Sequence, residues 1–243
     1  MLQGIYVASQ GMTTLMDKQD QIAHNLANIN TTGFKQSGLF AQAYNKFLAD
    51  DQAQPFVNHQ VKPDQTYIDF SEGTLKKTAN VLDCSIKGDG FFTVLTPQGV
   101  RYSRNGNFSL NAEGFLVTGD GSKVVGREGF IRLNNTDQVV ISKTGEVMQG
   151  NVTKGVLKMA DFDKPYQLLR HGDSYFSPKL KDNPVRDAAG FELNQGYLET
   201  SNVDPVTNMV KMISSYRSFE ACQKALRSQD ETLDKSVNQV GKL

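Results

Sequence analysis

Ser201-Asn202-Val203-Asp204-Pro205 is where the chain changes its hydrophobic period, and the architecture follows by reading outward from it. Asp204 is a residue type that accepts hydrogen bonds from the open amides of a helix start. Pro205 suits the first helical position, whose amide would be unpaired anyway. Downstream, Met209, Met212, Tyr216, Phe219, Gln223, Leu226, Asp230, Leu233, Val237 and Val240 recur three and four apart, and eight of the ten are apolar. That spacing predicts an amphipathic helix running almost to Leu243, with Glu220–Lys224 and Glu231–Lys235 as i,i+4 pairs on its outer face. Upstream, from Cys84 to Leu198, short β-branched or aromatic runs alternate with Gly, Asn and Asp, as in Gly90-Phe91-Phe92-Thr93-Val94-Leu95 before Pro97-Gln98-Gly99. Asn105-Gly106, Asn111 to Gly114 and Asp120-Gly121 are turn signals around Asn107 to Leu110 and Phe115 to Thr118, which predicts consecutive hairpin strands. Runs at 138–142, 155–162 and 197–200 extend the same β system.

The helical period also occupies the N-terminus. Ile5, Ala8, Met12, Leu15, Gln19, Ile22, Leu26 and Ile29 are three and four apart, and only Gln19 is polar. Asn28-Ile29-Asn30-Thr31-Thr32-Gly33-Phe34-Lys35 then supplies a stop, with a glycine able to turn the chain out of the helix. Residues 36–82 carry weaker signals: 38–49 suits a short helix or strand, 50–65 is polar with Pro55 and Pro63, and the whole reads as an extended connector. The expected fold class is α+β: N- and C-terminal amphipathic helices, 1–35 and 203–243, pairing as a coiled-coil rod, and a central, mostly antiparallel β domain over 83–202. Periodicity alone leaves a second arrangement open, in which both helices pack on the β domain of their own chain.

Composition removes several functions. Lys+Arg and Asp+Glu number 26 each, so no basic field attracts a nucleic acid. No run of about 18 apolar residues offers membrane insertion, and the start lacks a basic, apolar secretory leader. Cys84 and Cys222 stand too far apart in sequence for a metal-binding spacing. His24, His59 and His171 are scattered over the first helix, the connector and a late loop, and Cys84 at a strand entry reads as a small core residue. The Gly88-Asp89-Gly90 and Gly119-Asp120-Gly121 stretches are turns with no helix pattern behind them, and Asp161 and Asp163 read as loop acids. No catalytic, cofactor-binding or metal site and no small-molecule substrate is expected.

Two slender helices with one apolar stripe each need more neighbours than one another, because ordering a helix must be offset by packing. Residues expected to meet other helices are the seam positions Ile5, Met12, Leu15, Ile22, Leu26, Met212, Tyr216, Phe219, Leu226 and Leu233. A head-to-tail contact that does not close makes a filament or tube. The competing expectation is a monomeric surface-binding module whose helices brace the β domain.

Asn25-Leu26-Ala27-Asn28-Ile29-Asn30-Thr31-Thr32-Gly33-Phe34-Lys35 resembles the signature that closes the N-terminal helix of flagellar rod and hook proteins. Gly88 to Val94, Tyr102 to Phe108, Gln195 to Val203, and Met212-Ile213 with Arg217, Phe219 and Glu220 resemble the same family in the same order. The resemblance spans the chain, most weakly over 38–79 and 129–150. It implies a structural, non-enzymatic axial subunit of the bacterial flagellar basal body, without cofactor. Its implied partners are other copies of itself, neighbouring rod and hook proteins and the type III export apparatus. Export would occur without a cleaved signal peptide, into the periplasmic rod. In length the chain is nearer the proximal rod members than the larger hook members, with the distal rod members next. The family also adds Asn25, Asn28 and Phe34 to the expected assembly interface: the two asparagines would set register between packed helices, against simple helix-end capping, and Phe34 would plug a groove on its own or a neighbouring subunit.

Overall fold

A computed structural model describes residues 2–43, 61–172, 174–179 and 184–240. Contacts divide the chain into two units: residues 1–27, 37–69 and 204–243 form one, and residues 28–36 with 70–203 form the other.

The first unit holds the helices α1 (Leu2–Ala27) and α2 (Pro205–Val240), together with strands β1 (Ser37–Ala43) and β2 (Val61–Ile68). The helices pack against each other, and α1 also touches both strands. β1 and β2 form an antiparallel ladder from Ser37↔Ile68 to Ala43↔Val61, with a bulge between Phe40 and Ala41. These strands fall in the stretch expected as a connector; the rest of it up to residue 60, His59 included, lies outside the described residues, as do 241–243. α2 starts as its sequence dictates, for the Thr207 amide donates to Asp204 Oδ2 at 3.0 Å and Pro205 is the first helical residue. Its 36 residues make a helix roughly 54 Å long.

The second unit is β throughout. β3 (Leu75–Lys77) pairs with Tyr197–Glu199, and β4 (Cys84–Lys87) with Glu192–Gln195. β5 (Phe91–Thr96) and β6 (Gly99–Ser103) form a hairpin across Pro97-Gln98 at the centre of the largest sheet. From one edge, that sheet runs Leu168–His171, Tyr175–Pro178, β6, β5, Lys123–Val124, Leu116–Thr118 and Phe108–Leu110; Met159–Asp161 joins at β5 and carries Arg186–Asp187. Val139–Ile141, Glu146–Gln149 and Val152–Val156 make a separate three-stranded meander. The strand pairings among the described residues are antiparallel, and Phe92, Phe108, Ile131, Leu157 and Leu193 are among the residues of the core.

The hairpins at Asn111–Gly114 and Asp120-Gly121 form where the turn signals place them. Asn105-Gly106 does not make a hairpin: β6 leads into the far-edge strand Phe108–Leu110, and the dipeptide crosses between them. Gly106 is there for close approach. Its carbonyl accepts from the Cys84 amide at 3.0 Å, and an added Cβ would lie 1.7 Å from the Cys84 oxygen.

Candidate functional site

The chain leaving α1 is built into the β unit. The Thr31 hydroxyl and amide both donate to Asn28, to Oδ1 at 3.0 Å and to the carbonyl at 3.2 Å, which closes a turn after the helix. Gly33 follows with φ +68°, its amide donating to the Glu199 carbonyl at 2.8 Å. A Cβ on Gly33 would lie 2.5 Å from the Asn105 nitrogen, so this position admits only glycine without a shift. Thr32 donates to Asn105 Oδ1 at 2.9 Å, and the Gln36 amide to Asn202 Oδ1 at 2.6 Å. Phe34 is completely buried, with the Arg170 guanidinium 4.3 Å from its ring centre.

Lys35 is completely buried as well, and its ammonium donates to Glu199 Oε1 at 2.5 Å and to the Ser71 carbonyl at 2.6 Å. Glu199, itself 1% exposed, also accepts from the Gly73 amide at 2.9 Å. Arg104, 2% exposed, brings Nη1 to 3.8 Å from Glu199 Oε2 and lies 5.2 Å over Phe91. Arg170 donates to the Lys35 carbonyl. Burial holds the Lys35 pKa below its ordinary 10.5, against the charge and hydrogen bond of Glu199, which pull it back up. One carboxylate thus faces two buried cations, and a buried charge is tolerable only when paired.

In the helical unit, the Asn25 side chain is 2% exposed and grips Ser37 from both sides: Nδ2 donates to its carbonyl at 2.7 Å and Oδ1 accepts from its amide at 3.1 Å. Ile22 is buried; Met12, Leu15 and Leu26 are half-buried. Ile5 is in α1, but its side chain lies outside the described residues. On α2, Met212, Phe219, Leu226 and Leu233 are half-buried and Tyr216 is exposed. Asn28 is buried among the β-unit residues.

The buried edge of α2 lies one residue away from the apolar stripe counted in the sequence. Asn208 and Ser215 are buried where Met209 and Tyr216 were expected, and the Ser215 hydroxyl donates to the Leu15 carbonyl at 3.4 Å. At Ser215 a small polar side chain brings α2 against the α1 backbone. The large apolar residues are left outside: Val206, Met209, Val210, Ile213 and Tyr216 are 51–68% exposed. Val210 and Ile213 line a shallow groove with Ser214, Arg217, Ser218 and Ala221.

Three stretches match families of known proteins: residues 5–35 match the flagella basal body rod protein family, 85–149 the flagellar hook protein FlgE/F/G D1 domain, and 194–240 the C-terminal region of the flagellar basal body rod FlgEFG proteins. The chain is 31% identical over 242 residues to the flagellar basal-body rod protein FlgF of Rhizobium meliloti, which covers 98% of both chains. The chain belongs to the flagellar basal-body rod protein family. FlgF of Caulobacter vibrioides is 31% identical to it over 250 residues, with 98% of each covered, and FlgG of Bacillus subtilis 30% over 265, with 98% and 99% covered. As a member of this family the chain is a structural subunit of the flagellar rod, not an enzyme, and assembles with other rod and hook proteins.

For a rod subunit the convergence at Glu199 is informative, because all four sequence stretches that carried the resemblance ahead of α2 meet there. Gly33 to Lys35 come from the first, Phe91 from the second, Arg104 and Asn105 from the third, and Glu199 and Asn202 from the fourth. Lys35, Arg104, Arg170 and Glu199 carry this site, and none was singled out from sequence. The available signal was the adjacency of Lys35 to Gly33-Phe34, which fixes its backbone in the same turn. No helix among the described residues is long and apolar enough to cross a membrane. Cys84 is buried and its thiol is pushed up to about 12, which makes it a core residue and a poor nucleophile at neutral pH.

Proposed function

We propose that this chain is a proximal-type rod subunit that polymerises by adding helices of neighbouring subunits to the exposed stripe of α2. The observation that carries this reading is the stripe itself: Val206, Met209, Val210, Ile213 and Tyr216 are apolar or aromatic, more than half exposed, and crowded into three turns of one helix. Single exposed apolar residues are ordinary, but a contiguous run along a helix is what an interaction surface looks like. α1 and α2 pair as an antiparallel coiled coil, Met212, Phe219, Leu226 and Leu233 facing inward and Tyr216 outward. Met12 and Leu15 complete the inner side, with Ile5 extending it toward the N-terminus. Asn25, Asn28 and Phe34 act from within their own chain by fixing where the helix ends.

Alignment lengths support the proximal type. The relatives named FlgF align over 242, 245, 250 and 246 positions, whereas those named FlgG need 257 to 265 to match this chain of 243 residues. The chain reaches the rod through the flagellar type III apparatus, threaded unfolded.

The test is incorporation of Ile213→Asp into basal bodies isolated from cells lacking the native subunit. The expected result is a folded, exported variant that is absent from rods. Incorporation at the wild-type level would remove the stripe from the interface and favour a subunit that binds through its β unit.

A further inference from the structure

We propose that the β unit is sealed by its own two ends, and reaches its packed state only when the chain from Asn28 through Asn202 is available at once. The seal is continuous. Gly33 donates to the Glu199 carbonyl, Thr200 to the Thr74 carbonyl at 2.9 Å, Thr78 to Gly196 at 2.8 Å, and Gly196 to Asp83 at 2.7 Å. The Asn202 amide group reaches Ser71 Oγ at 3.0 Å while its oxygen accepts from Gln36. First, second and last segments of the unit thus share one hydrogen-bonded layer.

Charge makes the seal obligatory. Lys35 and Glu199 are 164 residues apart in sequence, and Arg104 lies between them. Every chain is made from its N-terminus, so Lys35 and Arg104 are present long before the carboxylate that balances them. Packing Phe34 and Phe91 into the core before Glu199 arrives would bury two cations unpaired, which opposes packing more strongly than those side chains favour it. Closing a loop of this length also costs entropy before any contact rewards it. The strands between stay open until the end of the unit is present, and then close together.

Hydrogen exchange of the full-length chain tests this. In mild denaturant, the amides of Gly33, Thr78, Gly196 and Thr200 are expected to open in the same cooperative event as interior amides such as those of Leu116, Val125 and Lys158. In pulse-labelled refolding both sets should gain protection in one kinetic step. Glu199→Gln is expected to slow that step about tenfold or more and to lower interior protection and end protection alike. Interior amides that protect in an earlier step, or that keep wild-type protection in Glu199→Gln while only the ends open, would overturn the proposal. If Glu199→Gln does not fold, the wild-type exchange and refolding data decide alone.

Discussion

The exit of α1 and the first three turns of α2 treat their side chains in opposite ways. At the exit, two cations and a carboxylate are removed from water and paired, with Phe34 and Phe91 packed beside them. On α2, five large apolar side chains are left in water although the helix has a packed face a few ångströms away. The first region closes on residues of its own chain. On the reading proposed above, Val210 and Ile213 are covered by a neighbouring subunit. The contrast then distinguishes residues that make the subunit from residues proposed to make the polymer.

The largest effect expected from breaking this contrast is at Glu199. Glu199→Gln leaves Lys35 and Arg104 buried without a balancing charge and should cost about 3–5 kcal/mol, read from urea unfolding. A double-mutant cycle with Lys35→Met should give a coupling of at least about 1 kcal/mol; additive effects would mean that the pair is not a unit. Gly33→Ala comes next, at about 1–3 kcal/mol for a left-handed residue, with the close approach to Asn105 adding to it.

The two faces of α2 sharpen the comparison within one helix. Phe219→Ala, on the half-buried face, should cost about 1–2 kcal/mol from lost burial, whereas Ile213→Ser should shift stability by less than about 0.5 kcal/mol. Equal costs at both positions would mean that Ile213 is covered in the monomer. The cysteines offer a chemical version with no effect on stability. In the folded monomer Cys222, half-buried on α2, should be alkylated while Cys84 is spared until the chain unfolds.

The sequence made the local features legible and hid the distant ones. The start of α2, the Pro97-Gln98 hairpin and the two turns after Leu110 and Thr118 each depend on residues within a few positions of one another, so spacing reveals them. Lys35, Arg104 and Glu199 each look like surface charges in isolation, and only the fold brings them together across 164 residues. Asn105-Gly106 has the composition of a hairpin turn, yet its glycine answers a steric need set by Cys84, which no local pattern records. On α2 the apolar spacing includes Met212, Phe219, Leu226 and Leu233, which are half-buried, and also Met209 and Tyr216, which are exposed. Asn208 and Ser215 are buried instead, and the Ser215 hydroxyl reaches the Leu15 carbonyl of α1, a contact that apolar spacing does not record.

The smallest expected effect concerns the boundary between those two readings, the cap of α2. Asp204 has its pKa lowered below the ordinary 3.8, first by the hydrogen bond with Thr207. A carboxylate whose folded value is depressed contributes stability above its unfolded pKa and loses that contribution as pH falls through the folded value. Asn caps nearly as well but carries no charge. Wild type and Asp204→Asn should therefore differ slightly in helicity near pH 6, and the difference should shrink as the pH falls from about 4 toward 2. A difference that does not change over that range would mean that the cap works through its geometry alone, and that the charge at Asp204 contributes nothing to where α2 begins.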